Sequence, residues 1–177
     1  MKKYKPFLIL IFIALFSTPA FSADKISAQR QKFITFALKY QGVKYVYGGT
    51  TPKGFDCSGY VDYVANHGLG IQLPRQAQAI YNKVKKISPK EREPGDLMFF
   101  KNDMKSNRIT HVGIYCGVYH GSNKKFEGKR VFISAVSDGP RTGVILAEID
   151  ERFWKNHFFA YGRFLPSTKD WNEKHSK

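Results

Sequence analysis

One cysteine and one histidine are the residues in this sequence best suited to covalent chemistry. Cys57 follows a turn rich in Gly, Thr and Pro, and apolar residues recur at helical spacing after it, so it is predicted to begin a helix. The unpaired amides and the dipole at a helix N-terminus favour an anion, so we expect this thiol to ionise more readily than a free one. Taken alone, a cysteine at a helix start is more often a small buried residue than a nucleophile.

His111 begins a segment, residues 111–116, whose composition is typical of a β-strand. Side chains alternate between the two faces of a strand, so Cys116 is predicted to point away from His111 and into the core. Two cysteines in an exported protein would by default form a disulfide. If His111 lies beside Cys57, however, Cys116 points away from Cys57 and the thiol of Cys57 stays free. A helix thiol beside a strand imidazole forms the nucleophile and general base of cysteine peptidases.

Helices come first in the chain and short strands follow. Helices are predicted over residues 24–41, with Ser27 as N-cap and Gly42 as the stop, from Cys57 to about residue 68, and from Pro74 to about residue 82. Strands are predicted over residues 97–100, 110–119, 131–136, 144–149 and 159–165, with a helical turn at 151–157. Connections of hairpin length leave no room for parallel crossovers. The predicted class is α+β, with N-terminal helices packed on an antiparallel sheet of about five to six short strands.

The two ends of the chain differ in composition from the middle. Residues 1–22 have a basic start, an apolar stretch and small residues before a cut at Ala23, as in a secretory signal peptide. The apolar stretch is too short for a membrane span, and no cysteine at the cut indicates a lipid anchor. Residues 23–166 are predicted to form one domain and residues 167–177 a polar tail. We therefore expect a periplasmic or secreted monomer.

The mature chain is strongly basic. Residues 1–22 hold three lysines and no acid, which leaves 26 basic and 14 acidic residues, a net charge of +12. This charge would attract anionic polymers such as cell-wall material, or it could simply keep the protein soluble. No basic run is interleaved with aromatics, so nucleic acid is not expected as a partner. No Cys and His spacing suits a zinc site, and we expect neither a metal nor another cofactor.

Five short segments match, in order, the motifs of a known family. They are GVKY with GG within residues 42–49, FDCSG at 55–59, LPR at 73–75, PGDL at 94–97 and HVGIY at 111–115. On these segments the chain resembles the NlpC-type bacterial cell-wall cysteine peptidases, from about residue 26 to 166. The resemblance implies a papain-like fold and an exported endopeptidase with peptidoglycan peptides as its partner. Such enzymes hydrolyse stem peptides between D-glutamate and diaminopimelate or at a cross-link.

The resemblance also implies roles for individual residues. It makes Cys57 the nucleophile and His111 the general base that later protonates the leaving amine. Tyr45 matches a tyrosine that can donate its hydroxyl to the oxyanion, although it could also be an ordinary sheet aromatic. Asp56 and Ser58 match residues that can bind the amine end of the substrate. Asp56 could in addition cap the helix.

The remaining matches leave alternatives open. Arg75 matches an arginine near the cleft, but it could instead pair with a surface acid. Where the family usually has a His or another strongly polar residue to orient the base, this chain has Ser134. A serine can accept a hydrogen bond from the imidazole, or it could bond to backbone instead. Asp138 shares the face of Ser134, but the Gly-Pro turn after it leaves its direction open.

Two other functions stay open, the first of them because of the serine at the third position. One is a wall-binding module with weak or no catalysis. The other is a secreted effector or an acyl-transferring relative that acts on other substrates. The intact cysteine and histidine favour the peptidase, since a binding module has no need of a thiolate.

Overall fold

The computed structural model describes residues 21–167, with side-chain positions from residue 28 onward. Within these residues the chain forms four helices, α1 (Phe21–Leu38), α2 (Cys57–Leu69), α3 (Ala77–Lys83) and α4 (Arg152–His157). The strands are β1 (Thr50–Thr51), β2 (Gly54–Phe55), β3 (Lys85–Ile87), β4 (Leu97–Phe100), β5 (His111–Val118), β6 (Arg130–Val136), β7 (Gly143–Glu148) and β8 (Phe158–Arg163).

Six of the strands form one sheet, and every neighbouring pair in it is antiparallel. The strand order is β3-β8-β4-β5-β6-β7, while β1 and β2 form a separate small hairpin. Helix α1 packs against α2, and α2 packs against strands β5 and β6. The predicted α+β class, with helices on an antiparallel sheet, is confirmed.

Helix α1 has different ends from those predicted. It starts at Phe21 and ends at Leu38, so Ser27 lies inside the helix and is not its N-cap. The chain then makes tight turns, and the amide of Gly42 donates to the carbonyl of Val144 on β7 at 2.8 Å. The helix therefore ends early because residues 42 and 43 hydrogen-bond to the edge of the sheet.

Helix α3 starts at Ala77, so the prediction that Pro74 opens it was wrong. The backbone before α3 is held by side chains from α2 and its cap. The amide of Leu73 donates to Asp62 at 2.8 Å, and Arg75 reaches the carboxylate of Asp56. Strand β3 was not predicted at all, because three residues with two exposed lysines carry no apolar alternation.

The sheet is covered on both faces. The larger core cluster lies between the sheet and α1 to α3 and includes Phe33, Tyr60, Val61, Val64, Ile80, Leu97, Val112, Ile114 and Ile133. The smaller cluster lies on the other face, where α4 packs, and includes Met98, Phe100, Tyr115, Phe132, Trp154 and Tyr161. Burial on two faces explains why β4 and β6 are apolar at nearly every position.

Both cysteines are free. Cys116 is half-buried and packs against the larger core cluster, as do Val112 and Ile114 on the same strand. His111 instead contacts rings of the smaller cluster, so the two side chains lie on opposite faces as predicted. Burial raises the pKa of the Cys116 thiol to about 12, which makes it a poor nucleophile.

A buried ion cluster joins the start of the domain to its end. Asp96 is fully buried and accepts hydrogen bonds from Arg30 of α1 at 3.1 Å and from Arg163 of β8 at 2.8 and 2.9 Å. The hydroxyl of Ser167 donates to Glu93 at 2.5 Å, and Ser167 is buried. The domain thus includes Ser167, which was predicted to begin the tail. The rest of that predicted tail, residues 168–177, lies outside the described residues.

Most of the predicted signal peptide also lies outside the described residues, which begin at residue 21. The predicted cut before Ala23 falls in the first turn of α1. Across residues 21–167, no helix has both the length and the apolar character that crossing a membrane requires.

Candidate active site

The loop before α2 places Cys57 at the first position of that helix. Asp56 is the N-cap, with extended backbone, and its carboxylate accepts the amide of Gly59 at 2.7 Å. A Cβ at position 59 would collide with the carbonyl oxygen of Gly49, so the loop can pack this closely only against a glycine. The helix start predicted from the sequence is confirmed, and Cys57 is 8% exposed there.

His111 is the first residue of β5, and its ring is held by a neighbouring strand. Its Nε2 lies 3.0 Å from the hydroxyl of Ser134 on β6, which is fully buried. The ring of Trp154 is stacked on the imidazole with centroids 5.4 Å apart and planes at 30°. The ring of Phe100 lies 5.6 Å away at a tilt of 54°. The imidazole is therefore fixed by one hydrogen bond and two aromatic neighbours.

Cys57 and His111 open onto the same cavity, which has a volume of about 530 Å³. The sulfur of Cys57 lies 3.9 Å from the carbonyl oxygen of Thr110, the residue just before His111. Tyr45 and Trp154 line the cavity as well. The structure thus brings together a thiol, an imidazole and a phenol that are far apart in the sequence.

Burial keeps both candidate catalytic groups neutral in the resting protein. Burial raises the pKa of the Cys57 thiol, although the backbone amides of Val112 and Ser58 and the Ser58 hydroxyl favour the thiolate and act against it. Burial also lowers the pKa of His111 to about 4. The expectation that the helix N-terminus would lower the thiol pKa was wrong, because desolvation outweighs the amide donors at this buried position.

Asp56, Ser58 and Arg75 form one polar network next to Cys57. Arg75 pairs with both carboxylate oxygens of Asp56, one of them at 2.9 Å, and also donates to the hydroxyl of Ser58 at 3.0 Å. The amide of Gly48 donates to the same carboxylate at 3.1 Å. Asp56 thus caps α2, as the sequence allowed, and Arg75 pairs with this buried carboxylate and not with a surface acid. The substrate-binding roles of Asp56, Ser58 and Arg75 stay predictions.

Tyr45 reaches the cavity from the chain beside β2. Its backbone makes an isolated parallel bridge to Phe55, two residues before Cys57. Burial raises the pKa of its phenol, and the negative charge that Cys57 and Asp56 carry when ionised raises it further. The phenol therefore stays protonated near neutral pH and is able to donate a hydrogen bond into the cavity.

Asp138 also lines the cavity, but a different residue holds the imidazole. Asp138 is exposed, and its carboxylate accepts the hydroxyl of Ser137 at 2.7 Å. The contact to the His111 ring comes from Ser134. Of the two candidates for the third position, Ser134 has the required contact.

The cavity wall formed by α4 was not predicted from the sequence. Phe153, Trp154 and His157 line the cavity from this short helix, and Arg141 and Glu151 complete the wall as an ion pair at 3.0 Å. An aromatic pair in a helical turn was visible in the sequence, but no spacing relates it to a strand some forty residues earlier. Among residues 21–167, no group of His, Cys, Asp and Glu side chains is arranged to hold a metal ion.

Comparison with known proteins gives consistent results. The model of the NlpC/P60 family matches residues 42–163. The bifunctional muramidase/DL-endopeptidase CwlT of Bacillus subtilis is 40% identical over 128 residues, which cover 72% of this chain and 34% of CwlT. The gamma-DL-glutamyl hydrolase of the same species is 40% identical over 129 residues, 72% of this chain and 28% of that protein. The chain thus matches about a third or less of the length of these two relatives.

A solved structure agrees with the fold. It is described as similar to lipoprotein, of the NLP/P60 family, and comes from Staphylococcus aureus. It superposes with a TM-score of 0.60 at 33% identity, covering 79% of this chain and 42% of that chain.

Proposed function

The chain belongs to the NlpC/P60 family, and on that premise we propose that it is an exported cysteine peptidase that hydrolyses amide bonds in the stem peptides of peptidoglycan. One observation carries the proposal. A free thiol at a helix N-terminus and an imidazole held by a buried hydroxyl open onto one cavity. The DL-endopeptidase relative supports hydrolysis of peptidoglycan peptides, with the bond between D-glutamate and diaminopimelate or a cross-link as the target.

The reaction begins from a neutral pair. With Ser134 accepting a hydrogen bond from Nε2 of His111, the other ring nitrogen, Nδ1, is unprotonated and acts as the base. The thiol proton of Cys57 moves to Nδ1 as the sulfur attacks the amide carbon. The resulting imidazolium gives that proton to the leaving amine when the C–N bond breaks. Water then attacks the thioester carbon while the imidazole takes its proton, and the C–S bond breaks to release the carboxyl product. The imidazolium returns that proton to the sulfur of Cys57, which restores the neutral pair.

Charge that develops on the substrate oxygen needs donors close to the sulfur. The backbone amide at the start of α2 and the phenol of Tyr45 serve as these donors. The raised pKa of Tyr45 supports this role, because an ionised phenol would repel the oxyanion.

We infer that the polar network beside Cys57 binds the part of the substrate that precedes the cleaved bond. Asp56 and Ser58 supply a carboxylate and a hydroxyl for an amine end, as in the family. Arg75 already occupies one side of that carboxylate, so a substrate amine would share Asp56 with the guanidinium.

Export and location complete the proposal. Residues 1–22 act as a cleaved signal peptide, and the mature enzyme is a periplasmic or secreted monomer with a net charge of +12. Intact-mass measurement of the exported protein tests the cut before Ala23, and size-exclusion chromatography with light scattering tests the monomer.

The deciding experiment is incubation of the purified mature chain with peptidoglycan, followed by mass analysis of the released peptides. Cys57→Ala and His111→Ala should each abolish release, and the double variant should be no worse than either, because members of one catalytic unit are not additive. Cys116→Ala is the matched control and should keep activity. Release by Cys57→Ala would refute the assignment of the nucleophile.

The same measurement separates the alternatives. A wall-binding module would sediment with peptidoglycan and release nothing, and its Cys57 would not need to react with iodoacetamide. An acyl-transferring relative would give products joined to an added amine in place of free carboxyl ends. Either result would contradict the proposed hydrolysis.

A further inference from the structure

Trp154 is the largest side chain in contact with the candidate base. It lies on α4, is only 7% exposed, and stacks on the His111 ring with centroids 5.4 Å apart. Its own indole is wedged between two other rings. Phe100 lies 5.2 Å from it and Phe132 lies 4.9 Å from it, both edge-on. The surface that the indole presents to the imidazole is therefore fixed by the core.

The hydrogen bond between His111 and Ser134 does not by itself fix the imidazole plane. One hydrogen bond holds one ring nitrogen and leaves the ring free to turn about that contact. A flat surface stacked on the ring removes this freedom, because turning the imidazole would push its edge into the indole. Together, the bond in the ring plane and the stack on the ring face determine where Nδ1 points.

We propose that Trp154 is a positioning residue that holds the plane of the His111 imidazole, so that its free nitrogen stays aimed at the thiol of Cys57. The proposal rests on the proposed peptidase function for its effect on turnover. The arrangement of the ring itself does not depend on that function.

The indole also keeps water from one face of the imidazole. This contributes to the burial that lowers the pKa of His111 to about 4. The titratable or charged groups that share the cavity are Tyr45, Cys57, Asp138, Arg141, Glu151 and His157. Arg141 and Glu151 neutralise each other at 3.0 Å, and Asp138 is exposed to solvent, so no strong fixed charge opposes the effect of burial.

Two substitutions separate positioning from simple packing. Trp154→Phe keeps a flat ring at the same place, whereas Trp154→Leu keeps an apolar side chain without a flat face. We expect Trp154→Leu to lower kcat about tenfold with KM nearly unchanged, since a displaced base misaligns the reacting atoms. The acid limb of its pH profile should move upward from about 4 toward the ordinary value of 6.5. Trp154→Phe should keep most of the parent's kcat and an acid limb close to the parent's.

Phe126→Leu is the matched control. Phe126 is also a buried aromatic, 4% exposed, and it packs on Tyr119 away from the cavity. Its replacement should lower the thermal unfolding temperature without changing the pH profile. If Trp154→Leu and Trp154→Phe lose the same activity with no change in pH profile, Trp154 only fills space and the proposal is overturned.

A spectroscopic measurement tests the stack if Trp154→Leu does not fold. In the parent protein the ring protons of His111, assigned through His111→Gln, should be shifted upfield by the indole ring current and should titrate well below pH 6.5. Trp154→Phe should reduce the upfield shift. Ordinary chemical shifts in the parent would overturn the proposal. This measurement does not involve peptidoglycan, so it gives its answer even if the proposed hydrolysis fails.

Discussion

Replacing Ser134 with alanine removes one hydrogen bond from the candidate base and changes little else. Ser134 is fully buried on β6, and its hydroxyl lies 3.0 Å from Nε2 of His111. Alanine keeps the Cβ and loses only the oxygen, so the surrounding core has almost no reason to move. The imidazole, however, loses its hydrogen-bond partner at Nε2.

The size of the effect follows from this contact. A neutral hydrogen bond contributes about 1 kcal/mol, and it strengthens as the imidazole becomes charged during thiol attack. The lost bond should therefore raise the barrier by about 1.4 kcal/mol, which corresponds to roughly a tenfold fall in kcat/KM. A carboxylate at this position would stabilise the imidazolium more strongly. Removing the serine hydroxyl should therefore lower kcat/KM less than removing a carboxylate would.

The assay is the rate of peptide release from peptidoglycan by Ser134→Ala, Ser137→Ala, Asp138→Asn and the parent. Ser137 is the matched control, because it lines the same cavity but is exposed and bonds to Asp138. Only Ser134→Ala should show the tenfold loss, and circular dichroism should show that all four proteins are folded. If Ser134→Ala equals the parent while Asp138→Asn loses activity, Asp138 orients the base and the reasoning is refuted.

Three further outcomes follow from burial and charge. Because the pKa of Cys57 is raised and that of His111 is lowered to about 4, the rate of Cys57 alkylation should increase as pH rises through neutrality. A rate that has already reached its plateau near pH 5 would instead indicate a preformed ion pair of thiolate and imidazolium. Asp96→Asn should lower the free energy of unfolding in urea by about 3 kcal/mol, since two buried arginines lose one of their carboxylate partners and keep Glu93. The exposed Asp103→Asn should change it by less than about 0.5 kcal/mol, and equal effects would contradict a structural ion cluster. Cys116→Val should keep turnover and cost less than about 1.5 kcal/mol of stability, and loss of turnover would show that the second thiol is part of the site.

Local patterns in the sequence determined much of the fold and of the site. The turn before Cys57 and the apolar spacing after it were enough to predict the start of α2, because caps and helix periodicity involve residues only a few positions apart. Alternation along a strand likewise placed His111 and Cys116 on opposite faces. The order of helices and hairpin-linked strands gave the α+β class for the same reason.

Only the tertiary structure decided how these elements act on one another. Pairing of Arg75 with Asp56 holds the chain before α3 extended, so the helix that Pro74 seemed to open begins later. Packing of α4 on the far face of the sheet brings Trp154 onto the imidazole, a contact between residues 43 positions apart that no local spacing encodes.

The charge state of the site was also decided by tertiary burial. A helix N-terminus alone favours a thiolate at Cys57, and a histidine alone titrates near 6.5. Enclosure between two packed layers raises the pKa of Cys57 and lowers that of His111. The sequence specified which groups could react. Folding then buried them, and desolvation favours the neutral form of each. This effect was decided by the tertiary structure because the dielectric around a group depends on everything packed against it.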